Sequence, residues 1–195
     1  MKITDYAILF LGIILSFCAI YEFKDQMAFK KIICDEEINK AVDNSVVMAL
    51  KSGYTKDIDN KCEIDLEITK NVLKKILAEL LYGDIKEYNK DKITNRIIAC
   101  IVVDEDGYYT LTNNKWSDKN IFGSSSHSGK VQEIEEVLEE KLDNYIYRIL
   151  LPENSGEIFA QTISDYSLLV VYETQRMVYD DVIYSGCILS GAAIK

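Results

Sequence analysis

Between Asp5 and Glu22 the chain runs Y-A-I-L-F-L-G-I-I-L-S-F-C-A-I-Y without a single charge. No other feature limits the fold as much. A segment this apolar, Tyr6–Tyr21, has to be buried on all sides or lie in lipid. As a helix it rises about 24 Å at ~1.5 Å per residue, slightly less than a hydrocarbon core of about 30 Å. Tyr6 and Tyr21 stand at its edges, where amphipathic rings favour the headgroup zone. The flanks argue against a cleaved leader, since the segment before the run offers only Lys2 and no A-x-A site follows. They also argue against a lipoprotein, because the bulky Phe17 precedes Cys18. Residues 1–23 are therefore expected to form a retained transmembrane anchor in contact with membrane lipid.

From Lys24 to Ser52 there is neither proline nor glycine. Apolar residues recur as Met27, Phe29, Ile32, Ile33, Ile38, Val42, Val46, Val47 and Leu50, in the steps of three and four that mark one helical stripe. Gly53 reads as the stop. Residues 24–53 are expected to continue the anchor as an amphipathic helix. Phe29, Ile33, Val42, Val46 and Leu50 form its packing stripe, against the chain's own head or against neighbouring copies.

Residues 54–195 read as a soluble head. A second amphipathic helix is expected over residues 63–82, ended by Gly83, with residues 84–95 as a polar extension. The period then changes. The dense apolar run Ile97–Val103, the turn Asp104-Glu105-Asp106-Gly107 and the run Tyr108–Thr112 together signal a hairpin. A Ser-rich loop is expected over 117–130 and a third helix over 131–146. Strands are expected over 145–151, 167–173 and 182–189, with a tail from Gly191. Helices first and strands mainly later predict an α+β class: a long N-terminal helix, transmembrane then amphipathic, and a head of helices packed on a mostly antiparallel sheet.

The charge balance is 22 basic against 32 acidic residues, a net of −10. That field repels nucleic acid and anionic headgroups, so no nucleic-acid partner is expected. The cysteines Cys18, Cys34, Cys62, Cys100 and Cys187 show no CxxC, which leaves a zinc ribbon or thioredoxin-type site without support. Beyond Cys18, two disulfides or four reduced and mostly buried thiols are open, and the second is favoured.

The remaining motifs fail on detail. Gly123–Lys130 has five residues between its glycines rather than four, and Val131 replaces the magnesium-binding Ser or Thr of a phosphate loop. Asp57-Ile58-Asp59 is followed by Lys61 and Cys62 where calcium loops carry an oxygen ligand and a glycine, and Asp104–Gly107 meets Tyr108 at a ligand position. His127, the only histidine, falls in the Ser-rich stretch without an evident orienting partner. No catalytic residue, cofactor or metal is expected, and the chain reads as a non-enzyme.

Taken together, the apolar-to-amphipathic helix and its α+β head resemble the pilin and pseudopilin design. Asp5-Tyr6 is similar to the Glu-Tyr pair of Flp-type pilins. The likeness extends to single-span membrane proteins of Gram-positive bacteria associated with Tad-like or type II secretion-like systems. Its carriers are Lys2–Asp5, Ile38–Asn44, Asp106–Tyr109, Thr162–Asp165 and Ser190–Lys195. The chain departs from true pilins in having no glycine before the apolar run and Asp5 in place of glutamate. The resemblance implies a structural or assembly component of a pilus-like or secretion apparatus, with other copies or apparatus proteins as partners. It also implies an extracytoplasmic head, whereas Lys24, Lys30 and Lys31 against Lys2 would place the head inside by charge count. The expectation follows the resemblance: a single-pass protein of the cell membrane. The alternative is a membrane-tethered sensor or small-ligand-binding domain, with a pocket near Tyr108, Tyr109 and Tyr172.

Overall fold

A computed structural model describes residues 3–57, 61–83, 85–143, 147–150, 163–179 and 182–194. The chain divides into two compact units, Met1–Glu37 and Ile38–Lys195. The first helix, α1, spans Ile3–Gly53, as the unbroken run without proline predicts. Among the described residues no helix is long and apolar enough to cross a membrane. The side chains of Tyr6, Phe29 and Ile33 lie outside the described ones.

The second unit begins inside the segment expected to be a separate amphipathic continuation. Val42, Val46, Ala49 and Leu50 are buried in the head's own core. The second half of the stripe is thus a core element of the head. Ser45, also buried on this face, donates its hydroxyl to the Ala41 carbonyl at 2.6 Å, which satisfies a polar group within the helix itself.

After α1 come the short antiparallel pair β1 (Tyr54–Lys56) and β2 (Cys62–Ile64). Helix α2 (Leu66–Tyr82) therefore starts three residues later than its periodicity suggests, because Asp65 caps it by accepting from the Ile68 amide at 2.8 Å. Gly83 ends α2 in the left-handed region, φ 72°, with its N–H on the Glu79 carbonyl. Gly53 closes α1 for another reason. A Cβ there would stand 1.9 Å from Thr69 Oγ1, so glycine permits the close approach of α1 to the start of α2. Among the described side chains of helix α3 (Glu87–Thr94), Ile93 is the buried one.

The expected hairpin is present as β3 (Ile97–Val103) and β4 (Gly107–Thr112), paired antiparallel with Ile101 opposite Thr110. A second, unforeseen turn at Asn113 and Asn114, φ 49° and 67°, returns the chain as β5 (Lys115–Trp116). Two adjacent left-handed residues suit a primed hairpin turn, and asparagine tolerates that region. β6 (Asn120–Ile121) also pairs with β4. Helix α4 (His127–Asp143) begins four residues earlier than expected, so Gly129 and Lys130 are helical and not loop. β7 (Tyr147–Leu150), β8 (Ser167–Tyr179) and β9 (Val182–Ala193) complete the chain.

The large sheet has the order β5-β4-β3-β8-β9-β7. Its pairings are antiparallel except β7 with β9. The fold is α+β, with helices on a mostly antiparallel sheet. Central strand β3 and residues Ser167–Glu173 of β8 are buried on both faces. Cys100, Val102, Leu168 and Val170 meet the far end of α1 with α2 and α3. Ile101, Val103, Leu169 and Val171 meet Ile134 and Leu138 of α4. Double burial explains why Ile97–Val103 is continuously apolar and not alternating.

Candidate functional site

In α2 the buried positions fall in two adjacent rows, the members of each one helical turn apart. One row is Thr69, Leu73 and Leu77; beside it run Lys70, Lys74 and Ala78. The first row enters the core. The second places two lysines where residues of a small domain are seldom buried: Lys70 is 9% exposed and Lys74 7%. Their cover comes from the Asn113–Asn114 turn. Lys74 donates its ammonium to Asn114 Oδ1, and Lys70 donates to the Asn114 carbonyl at 3.4 Å.

The two cations are not equivalent. Lys70 has a carboxylate partner, Glu67, at 2.6 Å. Lys74 has no carboxylate within ion-pairing distance among the described residues. Burial holds its pKa below the ordinary lysine value, and the Lys70 charge adds to that; Asp91, Cys100 and Glu67 pull it partly back. From α3, Lys90 faces the same space, paired with Glu87 at 3.0 Å. Lys75 completes the wall. These side chains border a groove of about 300 Å³ between α2 and α3. A second groove of about 500 Å³ adjoins it, sharing Thr94 and Asn114 and continuing to Asn95, Thr112, Asn113 and Lys141. Lys141 donates to Thr112 Oγ1 at 2.7 Å there. The arrangement presents a desolvated positive charge and several amide and hydroxyl groups to a small ligand.

The tyrosines suggested for a pocket do not come together. Tyr108 stacks on Phe122 at 5.4 Å on the α4 side, whereas Tyr109 packs on the α1–α2 side. Neighbours on a strand point to opposite faces. Tyr172 is wholly buried in the core.

The acidic hairpin tip is occupied by cations from within the chain. Lys119 bridges Asp104 at 2.7 Å and Asp106. Lys130 donates to the Glu105 carbonyl and to Asp165, each at 2.7 Å. Asp106 is thereby held below the usual carboxylate range, chiefly by its hydrogen bond with Lys119. Among the described residues no acidic, cysteine or histidine cluster could hold a metal. Residues 58–60 of the other calcium-like stretch lie outside the description.

In the phosphate-loop look-alike, the amides of Gly123 and Ser124 donate to the Glu133 carboxylate, at 3.0 and 3.2 Å. An internal anion sits where a phosphate would. His127 is the first residue of α4 and is exposed, not part of a loop. Cys62, Cys100 and Cys187 stand as thiols, as does the exposed Cys18. Tyr54 donates to Cys62 Sγ at 2.8 Å.

Of the anchor and stripe residues, Tyr21 is exposed and Val42, Val46 and Leu50 are core. Lys70, Lys74, Lys90 and Asn114 escaped the sequence reading. Spaced lysines in an amphipathic helix ordinarily form a solvated face, and their cover arrives from a turn some forty residues later. Compared with protein-family models, with curated proteins and with solved structures, the chain matches none.

Proposed function

We propose that the chain is a single-pass protein of the cell membrane whose α+β head serves as an assembly component of a pilus-like or secretion apparatus. The observation that carries the reading is the exposure of the described apolar side chains in the uncharged run. Ile14, Phe17, Ile20 and Tyr21 all lie open, at 46%, 59%, 53% and 67%. Ile14, Phe17 and Tyr21 share one face of α1 at i, i+3 and i+7, and Ile20 and the exposed Ser16 and Cys18 flank it. Large apolar side chains exposed along a helix call for cover from outside the chain, and lipid supplies it without directional bonds. Residues 1–23 are the proposed anchor, with the head outside the cell.

Val42, Val46 and Leu50 are spent in the head's core. The segment proposed to meet neighbouring copies or apparatus proteins is residues 24–37, whose sequence includes Phe29, Ile33 and the native Cys34. Two measurements test the two halves of the proposal. Ile14→Lys should cost ~2.5–3.5 kcal/mol of insertion and move the protein out of the membrane fraction. Unchanged fractionation would remove the anchor. Single cysteines along 24–37 should crosslink to another copy or to a partner in native membranes. A complete lack of crosslinks from a correctly inserted protein would remove the assembly role.

A further inference from the structure

We propose that the groove between α2 and α3 binds the phosphate group of a small soluble molecule against Lys70, Lys74 and Lys90, with the polar remainder of that molecule along the adjoining groove beside Asn95 and Asn113. The inference concerns the head alone and stands whether or not α1 lies in lipid.

The first argument is the unbalanced charge. An ammonium taken out of water is costly unless an anion compensates it. Lys74 is nine-tenths buried, lines the groove, and among the described residues has the neutral Asn114 side chain as its acceptor. Its burial is not a by-product of packing a salt bridge. Of the nearby carboxylates, Asp91 lines the groove without an ion pair to Lys74, while Glu67 and Glu87 are engaged with Lys70 and Lys90 and are largely exposed, at 64% and 81%. Such solvated arms hold their partners weakly and can yield to a stronger anion.

The second argument is the contrast with the rest of the chain. A net charge of −10 keeps extended polyanions and anionic bilayers away. A groove bearing Lys70, Lys74, Lys75 and Lys90 against Glu87 and Asp91 is a local basic island. A small ligand can enter it without meeting the whole field. Lysines act as compact point charges toward phosphate oxygens. The third argument is size. Grooves of about 300 and 500 Å³ that share Thr94 and Asn114 fall in the range that small molecules occupy. One phosphate needs only the first, which leaves room for a polar body of amide-bonding character in the second.

The test uses the full chain in detergent micelles, with inorganic pyrophosphate as probe and sodium chloride at matched ionic strength as control. The melting temperature should rise with the logarithm of pyrophosphate concentration. Lys74→Met keeps the stem and deletes the charge. It should melt higher than the parent without ligand and lose the pyrophosphate response. Those opposite signs separate a ligand site from a structural lysine, whose loss would only destabilise. Lys90→Gln and Lys75→Gln, at less buried positions, should fold normally and weaken apparent binding several-fold each. They carry the test if Lys74→Met does not fold. An absent response in the parent overturns the proposal, as does a response that all the lysine variants retain. Vesicles of anionic phospholipid against zwitterionic ones distinguish the source of the phosphate. A Lys74-dependent response to anionic vesicles with none to pyrophosphate overturns the soluble ligand.

Discussion

The indole N–H of Trp116 donates to the carbonyl oxygen of Leu66 at 3.0 Å. That bond ties the β4–β5 hairpin to the first turn of α2, and so keeps the Asn113–Asn114 turn over Lys70 and Lys74. Trp116→Phe removes the donor and leaves most of the ring. It should cost about 0.5–1.5 kcal/mol for the bond, with some lost packing added. The urea midpoint should fall, and Lys74 should become more accessible to amine acylation. A variant that loses stability with no change at Lys74 would uncouple the hairpin from the groove.

Gly53 can be tested through its neighbour. Gly53→Ala puts a methyl into Thr69 Oγ1, and the Asp65 carbonyl stands only 2.9 Å away. Overpacking of this kind costs about 1–3 kcal/mol. Thr69→Ala in the same chain should restore part of the loss, because one obstacle is gone and the backbone obstacle stays. Additive losses in the double variant would show that the contact is not the cause.

A head fragment starting at Tyr54 should fail to fold. It lacks Val42, Val46 and Leu50, each almost fully buried. At ~1.5–3 kcal/mol apiece they approach the whole stability of an ordinary domain. A fragment starting at Ile38, where the second unit begins, should melt cooperatively. Sizing and thermal melts of the two fragments decide, and a monomeric, cooperatively melting 54–195 fragment would contradict the core assignment of α1.

Alkaline stability has a sign that follows from two buried groups. Burial raises the Cys100 thiol from 9.0 to about 12, with Lys74 pulling it partly down. Tyr172 goes from 10.0 to about 12, again mainly by burial. In both cases the folded state holds the proton more tightly than the unfolded one. Their contribution is complete below pH 9.0 and is lost as pH rises through about 12. The urea midpoint should therefore fall over that interval. A Cys100→Ala/Tyr172→Phe variant should show a shallower fall, and an unchanged slope would assign the alkaline loss to other groups.

Where local chemistry alone selects the conformation, the sequence was sufficient. An unbroken helix from the uncharged run to Gly53 needs only the absence of proline, with Gly12 tolerated inside it. The β3–β4 hairpin follows from dense apolar residues around an Asp-Gly turn, and Gly83 marks a left-handed cap. The acidic balance was legible in the same way. Tertiary structure decided what lies at a distance along the chain. Burial on both sheet faces depends on α4 arriving opposite α1, α2 and α3, and no local pattern contains that. Whether the stripe of α1 serves a neighbour or its own head was open until Val42, Val46 and Leu50 met β3 and β8. Lys74 is the sharpest case. Its spacing from Lys70 is that of a solvated helix face, and the Asn114 turn, forty residues on, helps remove it from water. Charge is written in sequence; its desolvation, which gives a charge chemical consequence, is set by what folds over it.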